Sequence, residues 1–276
     1  GVIASQLAHG GIRANPDLTG TTPIGPSKHV LDNGQRTKEM SYKDMQRVID
    51  DFAKAAVTAI KAKFDAIQIH AAHGYLISQF LSPYYNRRND DYGGTVQNRF
   101  RFLQQIFNTV RYEVGKEYPI LIKLNSEDFL HPGLTVRDML IISNLLEEIG
   151  VDAIELSGGT VDSGLYNHAR KGRIDIPNKE VYYKEAARLY KKNINVPLIL
   201  VGGIRSYETA ESLIHEGFTD YVSMSRPFIR EPKLVNRWKS GDRRPSACLS
   251  DNLCYGPIRS GQGIQCVTKN YSKYTI

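Results

Sequence analysis

Six short apolar runs, separated by stretches in which apolar residues recur every three or four positions, constrain this chain of 276 residues more than anything else in it. The runs are Val2 to Leu7, Ala66 to Ile69, Ile120 to Leu124, Ala153 to Leu156, Pro197 to Val201 and Tyr221 to Met224. Each is too short for a stable helix and rich in branched residues, so each reads as a strand. Between them the spacing is helical, as in Met45, Val48, Ile49, Phe52, Ala56 and Ile60, or Arg99, Phe102, Leu103, Ile106 and Val110. Ser41 with Asp44, Thr95, and Thr135 with Asp138 supply helix starts, and Gly150 and Gly217 supply stops. Further helices are expected around Val181 to Lys191 and from Ser206 to Glu216. Strand and helix in strict alternation give a parallel sheet with helical crossovers, because parallel neighbours cannot be joined by a tight turn. The expected class is α/β and the architecture a (β/α)8 TIM barrel, which needs eight strands, so two strand units are missing from the count.

The segment from Asp65 to Phe102 carries the chemistry. Its strand ends on His70, His73 and Tyr75, at the end of a barrel strand where active sites collect. Two imidazoles three residues apart can donate to one carbonyl oxygen and make a conjugated alkene electrophilic, and a phenol beside them can protonate the neighbouring carbon. A zinc site would need a third nearby ligand, and no H-E-x-x-H spacing occurs. A second cluster follows the last strands. Gly202 and Gly203 stand after one of them, Ser225 and Arg226 after the next, and together they offer bare N–H groups and a guanidinium of the kind that binds phosphate on barrels. The alternative is a tight glycine turn beside a surface charge.

The ordered motifs H-x-x-H-G-Y at 70–75, QFLSP at 79–83, DYGG at 91–94 and NRFRF at 98–102 resemble the old yellow enzyme family of FMN-dependent NAD(P)H:flavin oxidoreductases. QLAHGGIR at 6–13, GGIRS at 202–206 and SRPFIREP at 225–232 extend the resemblance over nearly the whole chain in order. It implies that the phosphate is that of FMN, that NAD(P)H is the reductant, and that His70, His73 and Tyr75 are the catalytic residues in alkene reduction. It implies that Gln6 meets the pyrimidine edge of the flavin and that Lys123, where many members have arginine, places positive charge near N1 and O2. His9 and Arg13 fall in the related loop element and are not in the catalytic set. The resemblance also places the two missing strand units upstream of Gly1, at least ~60 residues at the usual size of such units. Residues 1–240 are expected to form the partial barrel and 241–276 a cysteine-containing extension.

Cys248, Cys254 and Cys266 in that extension resemble the four-cysteine iron–sulfur segment of relatives of 2,4-dienoyl-CoA reductase and trimethylamine dehydrogenase, with Asp251 where a cysteine is expected. Free thiols with no metal are the favoured reading, an Asp-ligated cluster or zinc the other. Three thiols and no secretory leader indicate a cytoplasmic protein. The net charge of +7 suits an anionic cofactor and a small-molecule substrate, and its scattered cations form no nucleic-acid stripe. No apolar run is long enough to span a membrane. A homo-oligomer is compatible with all of this. Two other functions remain open: a non-catalytic remnant that binds a phosphorylated ligand, and an unrelated phosphate-binding barrel enzyme such as an aldolase, for which Lys123 is the candidate Schiff-base lysine. Tyr92 to Gly94 are expected to shape a turn, and Arg87, Arg88, Asp90 and Asp91 to form a solvated, self-paired loop.

Overall fold

The branched apolar runs become the strands of one parallel sheet. A computed structural model describes residues 1–172, 174 and 180–268. Its strands are β1 (Ala4–Leu7), β2 (Ala66–Ala71), β3 (Ile120–Asn125), β4 (Ala153–Ser157), β5 (Leu198–Val201) and β6 (Tyr221–Ser223), hydrogen-bonded in chain order. All neighbours are parallel, with Gln6 opposite Gln68, His70 opposite Lys123 and Lys123 opposite Glu155. Helices α1 (Tyr42–Lys61), α2 (Leu76–Leu81), α3 (Val96–Val114), α4 (Val136–Glu148), α5 (Lys184–Asn193), α6 (Tyr207–His215) and α7 (Arg226–Arg230) connect or follow the strands.

Strand alternation sorts the side chains onto two faces. Ile67, Ile69, Ile122, Leu124, Ile154, Leu156, Leu198 and Leu200 are fully buried and form one core with Phe52, Phe102, Ile106, Phe107 and Ile142 from the helices. The opposite, inner face carries Gln6, Gln68, His70, Lys123 and Glu155. Capping boxes at Ser41 with Asp44 and at Thr135 with Asp138 fix the starts of α1 and α4, and the Thr95 side chain accepts from the Asn98 N–H at α3. Among the described residues the sheet does not close. β1 pairs only with β2 and β6 only with β5, and Ile3 and Tyr221 at the two edges are 59% and 61% exposed. This is the α/β partial barrel expected from the strand pattern. No helix among the described residues is long and apolar enough to cross a membrane.

Three local expectations change. The long loop after β1 holds a short parallel ribbon of Ile24–Gly25 with Lys38–Glu39, clamped by Arg88, whose Nη1 donates to the carbonyls of Pro26 and Met40 while the guanidinium also pairs with Asp90. The run is self-paired as expected, through Arg88 and Asp90, and Arg87 and Asp91 are exposed; the Arg88 side chain alone, 6% exposed, is drawn inward, where the guanidinium satisfies carbonyls that a ladder would otherwise take. Helix α5 starts at Lys184 rather than Val181, because Val181 has φ +59° and the Tyr182 N–H bonds to the Gly202 carbonyl. The cysteine segment runs back along the barrel mouth, with the Ser246 N–H on the Arg205 carbonyl and the Ala247 N–H on Glu231.

Candidate active site

His73 and Gly74 both take positive φ, 67° and 77°, in the turn between β2 and α2. That left-handed step is strained for a histidine and is held by its surroundings. The His73 N–H donates to Asn125 Oδ1, the Gly74 N–H to Ser78 Oγ at 3.1 Å, and Gln79 Nε2 to the Gly74 carbonyl at 2.6 Å. A side chain at Gly74 would meet Thr160 and Tyr85 at 3.1 Å, so only glycine lets the loop after β4 close on this turn. The turn swings His70, His73 and Tyr75 together: the rings of His73 and Tyr75 stand edge-on to His70, with centroids 5.1 and 5.2 Å away.

These residues open on a cavity of about 680 Å³ at the C-terminal ends of the strands. Every residue expected from the sequence to hold cofactor or substrate lines it: Gln6, His70, His73, Tyr75, Lys123, Gly202, Gly203, Ser225 and Arg226. The cavity also brings in His168, Tyr182, Arg205 and Asn252, which the sequence reading missed, and Cys248, which it had placed in a separate extension.

The imidazoles are neutral. Burial first, then the charge of Lys123, pushes His70 down to about 4 from 6.5. Burial and the neighbouring Lys123 and Arg226 put His168 at about 4 as well, and burial with His168 and His70 alongside holds His73 well below the ordinary value. The Ala72 N–H donates to His70 Nδ1 at 3.2 Å, so the neutral ring carries its proton on Nε2. His73 Nε2 lies 2.7 Å from Ser157 Oγ, and the His168 ring stacks on His73 with centroids 4.5 Å apart. His168 Nδ1 is a buried atom without a hydrogen-bond partner among the described residues, as is Arg205 Nε.

Lys123 Nζ, on the cavity wall, sits 2.9 Å from Oε1 of the buried Glu155. Arg226 makes no ion pair among the described residues and donates instead to the Arg170 carbonyl and Asn252 Oδ1, both at 2.7 Å. The glycines serve packing as well as access. A Cβ at Gly202 would lie 2.7 Å from the Tyr183 ring and one at Gly203 2.6 Å from the Tyr182 ring. Glu180 already accepts from the N–H groups of Arg205 and Ser206 at the start of α6, so these two backbone donors are taken.

Residues 166–172 roof the site. Arg170 lies over the rings of Phe129, Tyr166, Tyr182 and Tyr183 at 4.6–5.3 Å, Asn252 Nδ2 donates to the Ala169 carbonyl, and the Gly172 N–H to the Ser250 carbonyl. Cys248, Asp251, Cys254 and Cys266 line one small pocket beside Arg230, with all three thiols free. No group of three or more His, Cys, Asp or Glu among the described residues is arranged to hold a metal ion. Away from the cavity, Arg13 ties the loop after β1 to the loop after β4 by pairing with Asp162, and His9 Nδ1 accepts from the Gly11 N–H within its own loop.

A family model described as NADH:flavin oxidoreductase / NADH oxidase matches residues 1–244. The chain is 36% identical to an NADH oxidase of Thermoanaerobacter brockii over 92% of its own length and 39% of that protein's. It is 30% identical to a 4,4'-dithiodibutanoate disulfide reductase of Rhodococcus erythropolis, covering 98% of this chain and 73% of the relative. Among solved structures, a 2-naphthoyl-CoA reductase complex aligns with TM-score 0.85 and 25% identity, over 97% of this chain and 42% of that one. An old yellow enzyme homologue from Zymomonas mobilis aligns with TM-score 0.74 and 27% identity, over 100% and 74%. The chain thus spans well under half of some relatives and about three quarters of others. On the match over residues 1–244 and the identity to these relatives, the chain belongs to the NADH:flavin oxidoreductase / NADH oxidase family.

Proposed function

We propose that this chain forms the working wall of an FMN-dependent NAD(P)H oxidoreductase that reduces an alkene conjugated to a carbonyl, or a similar electrophile. One observation carries the reading: neutral imidazoles, a phenol and the cations Lys123, Arg205 and Arg226 converge on a single cavity at the C-terminal end of a parallel sheet. Its volume lies in the range that encloses a cofactor-sized ligand. The residues fit FMN. Arg226 without an acidic partner among the described residues, the buried Arg205 Nε likewise unpartnered among them, and the open backbone of Gly202, Gly203 and Ser225 suit a phosphate. Gln6 and Lys123, across the inner face, suit the polar edge of a pyrimidine ring. When bound, FMN reduced by NAD(P)H supplies the hydride.

The protein's own groups do the rest. His70, with its proton on Nε2, donates to the substrate carbonyl as a neutral hydrogen-bond donor and withdraws electron density from the alkene. With Ser157 as the donor in its 2.7 Å contact to His73 Nε2, the His73 proton sits on Nδ1 and gives a second donor. Tyr75 delivers a proton to the carbon next to the carbonyl. His168, stacked on His73, keeps water off its face. The reading includes closure of the sheet by two strand units outside the present sequence, the division near residue 240, and a cytosolic setting in which the three thiols stay reduced.

The test is the absorption spectrum of the full-length gene product and its anaerobic bleaching by NADPH. A yellow protein that bleaches is expected; a folded, colourless one would leave the ligand-binding remnant as the better reading. Tyr75→Phe should cut alkene reduction by about 10²- to 10⁴-fold with flavin reduction nearly unchanged. Equal loss in both half-reactions would remove Tyr75 from the role.

A further inference from the structure

Beneath the cavity a chain of hydrogen bonds crosses four neighbouring strands. Lys123 Nζ donates to Glu155 Oε1 at 2.9 Å, Gln68 Nε2 donates to Glu155 Oε2 at 2.8 Å, and Gln6 Nε2 donates to Gln68 Oε1 at 2.6 Å. Ser223, on β6, also hydrogen-bonds Glu155. Glu155 is 5% exposed and Gln68 9%, whereas Gln6 and Lys123 reach the cavity. Burial alone would raise the Glu155 carboxyl, but the Lys123 charge and the Lys123, Gln68 and Ser223 hydrogen bonds outweigh it and hold Glu155 ionised.

An ionised carboxylate can only accept. Gln68 must therefore turn its amide N–H₂ to Glu155 and its carbonyl to Gln6. Gln6 in turn must donate to that carbonyl, which leaves its own carbonyl oxygen as the acceptor facing the cavity. The same carboxylate cancels the charge of Lys123 and fixes the direction of its remaining N–H bonds. We propose that Glu155 is a positioning residue that sets the donor and acceptor polarity of the site: an acceptor at Gln6, a charge-compensated donor at Lys123. This rests on the FMN reading and adds to it. Compensation denies the reduced flavin the full stabilisation of a bare cation, and so keeps it a stronger hydride donor than a lone lysine would.

The experiment is anaerobic potentiometry, with equilibrium FMN binding to the apoprotein, on the full-length protein and its E155Q, K123M and E155Q/K123M variants. E155Q frees the Lys123 charge, so the midpoint should move positive and reduced FMN should gain roughly tenfold or more over oxidised FMN in relative affinity. K123M leaves an uncompensated anion and should move the midpoint negative. In the K123M background the E155Q effect should lose the part owed to Lys123, and Glu155→Asp should restore most of the wild-type midpoint. A purely structural Glu155 would lower thermal stability without this sign pattern. Unchanged midpoints in flavin-loaded E155Q and K123M overturn the inference; if E155Q does not fold, an unmoved midpoint in K123M overturns it alone. A folded wild-type protein that binds no FMN defeats the underlying reading instead.

Discussion

The cavity has a floor and a roof that are built differently. The floor consists of side chains on strands or at strand ends, Gln6, Gln68, His70, Lys123 and Glu155, locked by ladder register and by side-chain bonds of 2.6–2.9 Å. The roof consists of loops, residues 166–172 and 246–256, joined through backbone carbonyls by Arg226 and Asn252 and through the aromatic setting of Arg170. Rigid elements hold reacting groups more accurately than loops do, so the chemistry should sit on the floor and access and retention on the roof. The largest expected effect tests that division. His70→Ala should lower alkene turnover and the affinity for phenolic carbonyl ligands by about 10²- to 10³-fold, the usual loss for one preorganised donor. His168→Ala should cost roughly tenfold or less, chiefly through KM. Steady-state kinetics showing equal kcat losses would erase the distinction.

A second test compares two glycines. Gly202 has φ +120° and a Cβ there would lie 2.7 Å from the buried Tyr183 ring, while Gly261 has φ +74° and open space around it. Gly202→Ala should cost about 2–4 kcal/mol, backbone strain plus overpacking, and Gly261→Ala about 1 kcal/mol, strain alone. Urea unfolding of the two variants measures the gap. A small cost at Gly202 would mean that Tyr183 can yield, and that the packing under the Gly202–Gly203 turn is softer than its contacts imply.

The same division decides what could be read from the sequence. Strand period, capping boxes and stop glycines are local, so Ile67, Ile69, Ser41 with Asp44 and Thr135 with Asp138 took their places as expected. Site residues at strand ends inherit that legibility, and all of those expected from the sequence line the cavity. His168, Arg205 and Asn252 were missed because they lie on aperiodic loops and reach the cavity only through contacts distant in sequence, such as Asn252 on the Ala169 carbonyl. Asn252 did leave a signal: asparagine is a common non-glycine residue in the left-handed region, and it sits there at φ 63°. The Glu155 layer was missed for a different reason. A lone Glu inside IEL reads as a solvated position on an alternating strand, and only the ladder shows Lys123 opposite it.

pH reads the burial of the histidines on both sides of the cavity, His70 on the floor and His168 on the roof, through stability. His70 titrates at about 4 in the fold and near 6.5 when unfolded, so between these values the unfolded chain binds more protons and stability falls as pH falls. Each such histidine contributes a slope of about 1.4 kcal/mol per pH unit inside that window and none above it. His70→Gln should remove one histidine's share of the slope, measured by urea unfolding at pH 4.5, 5.5 and 6.5. A slope unchanged from wild type would mean that His70 is solvated in the folded protein, and its role as a neutral donor would go with it.

The smallest expected effect falls on the roof itself. Arg170 has a buried Nε without a partner among the described residues, and its guanidinium is held mainly by the faces of Phe129, Tyr166, Tyr182 and Tyr183. Arg170→Met keeps the apolar stem and removes the cation, so the loss should be about 1–2 kcal/mol of local packing. Because the Arg170 carbonyl, not its side chain, receives Arg226, the backbone stitch survives the substitution. The variant should then show a KM raised a few-fold, kcat within twofold of wild type and faster hydrogen exchange confined to residues 164–172. A kcat that fell with KM unchanged would put Arg170, through His168, among the groups that act in the transition state, and the roof would have to be counted with the floor.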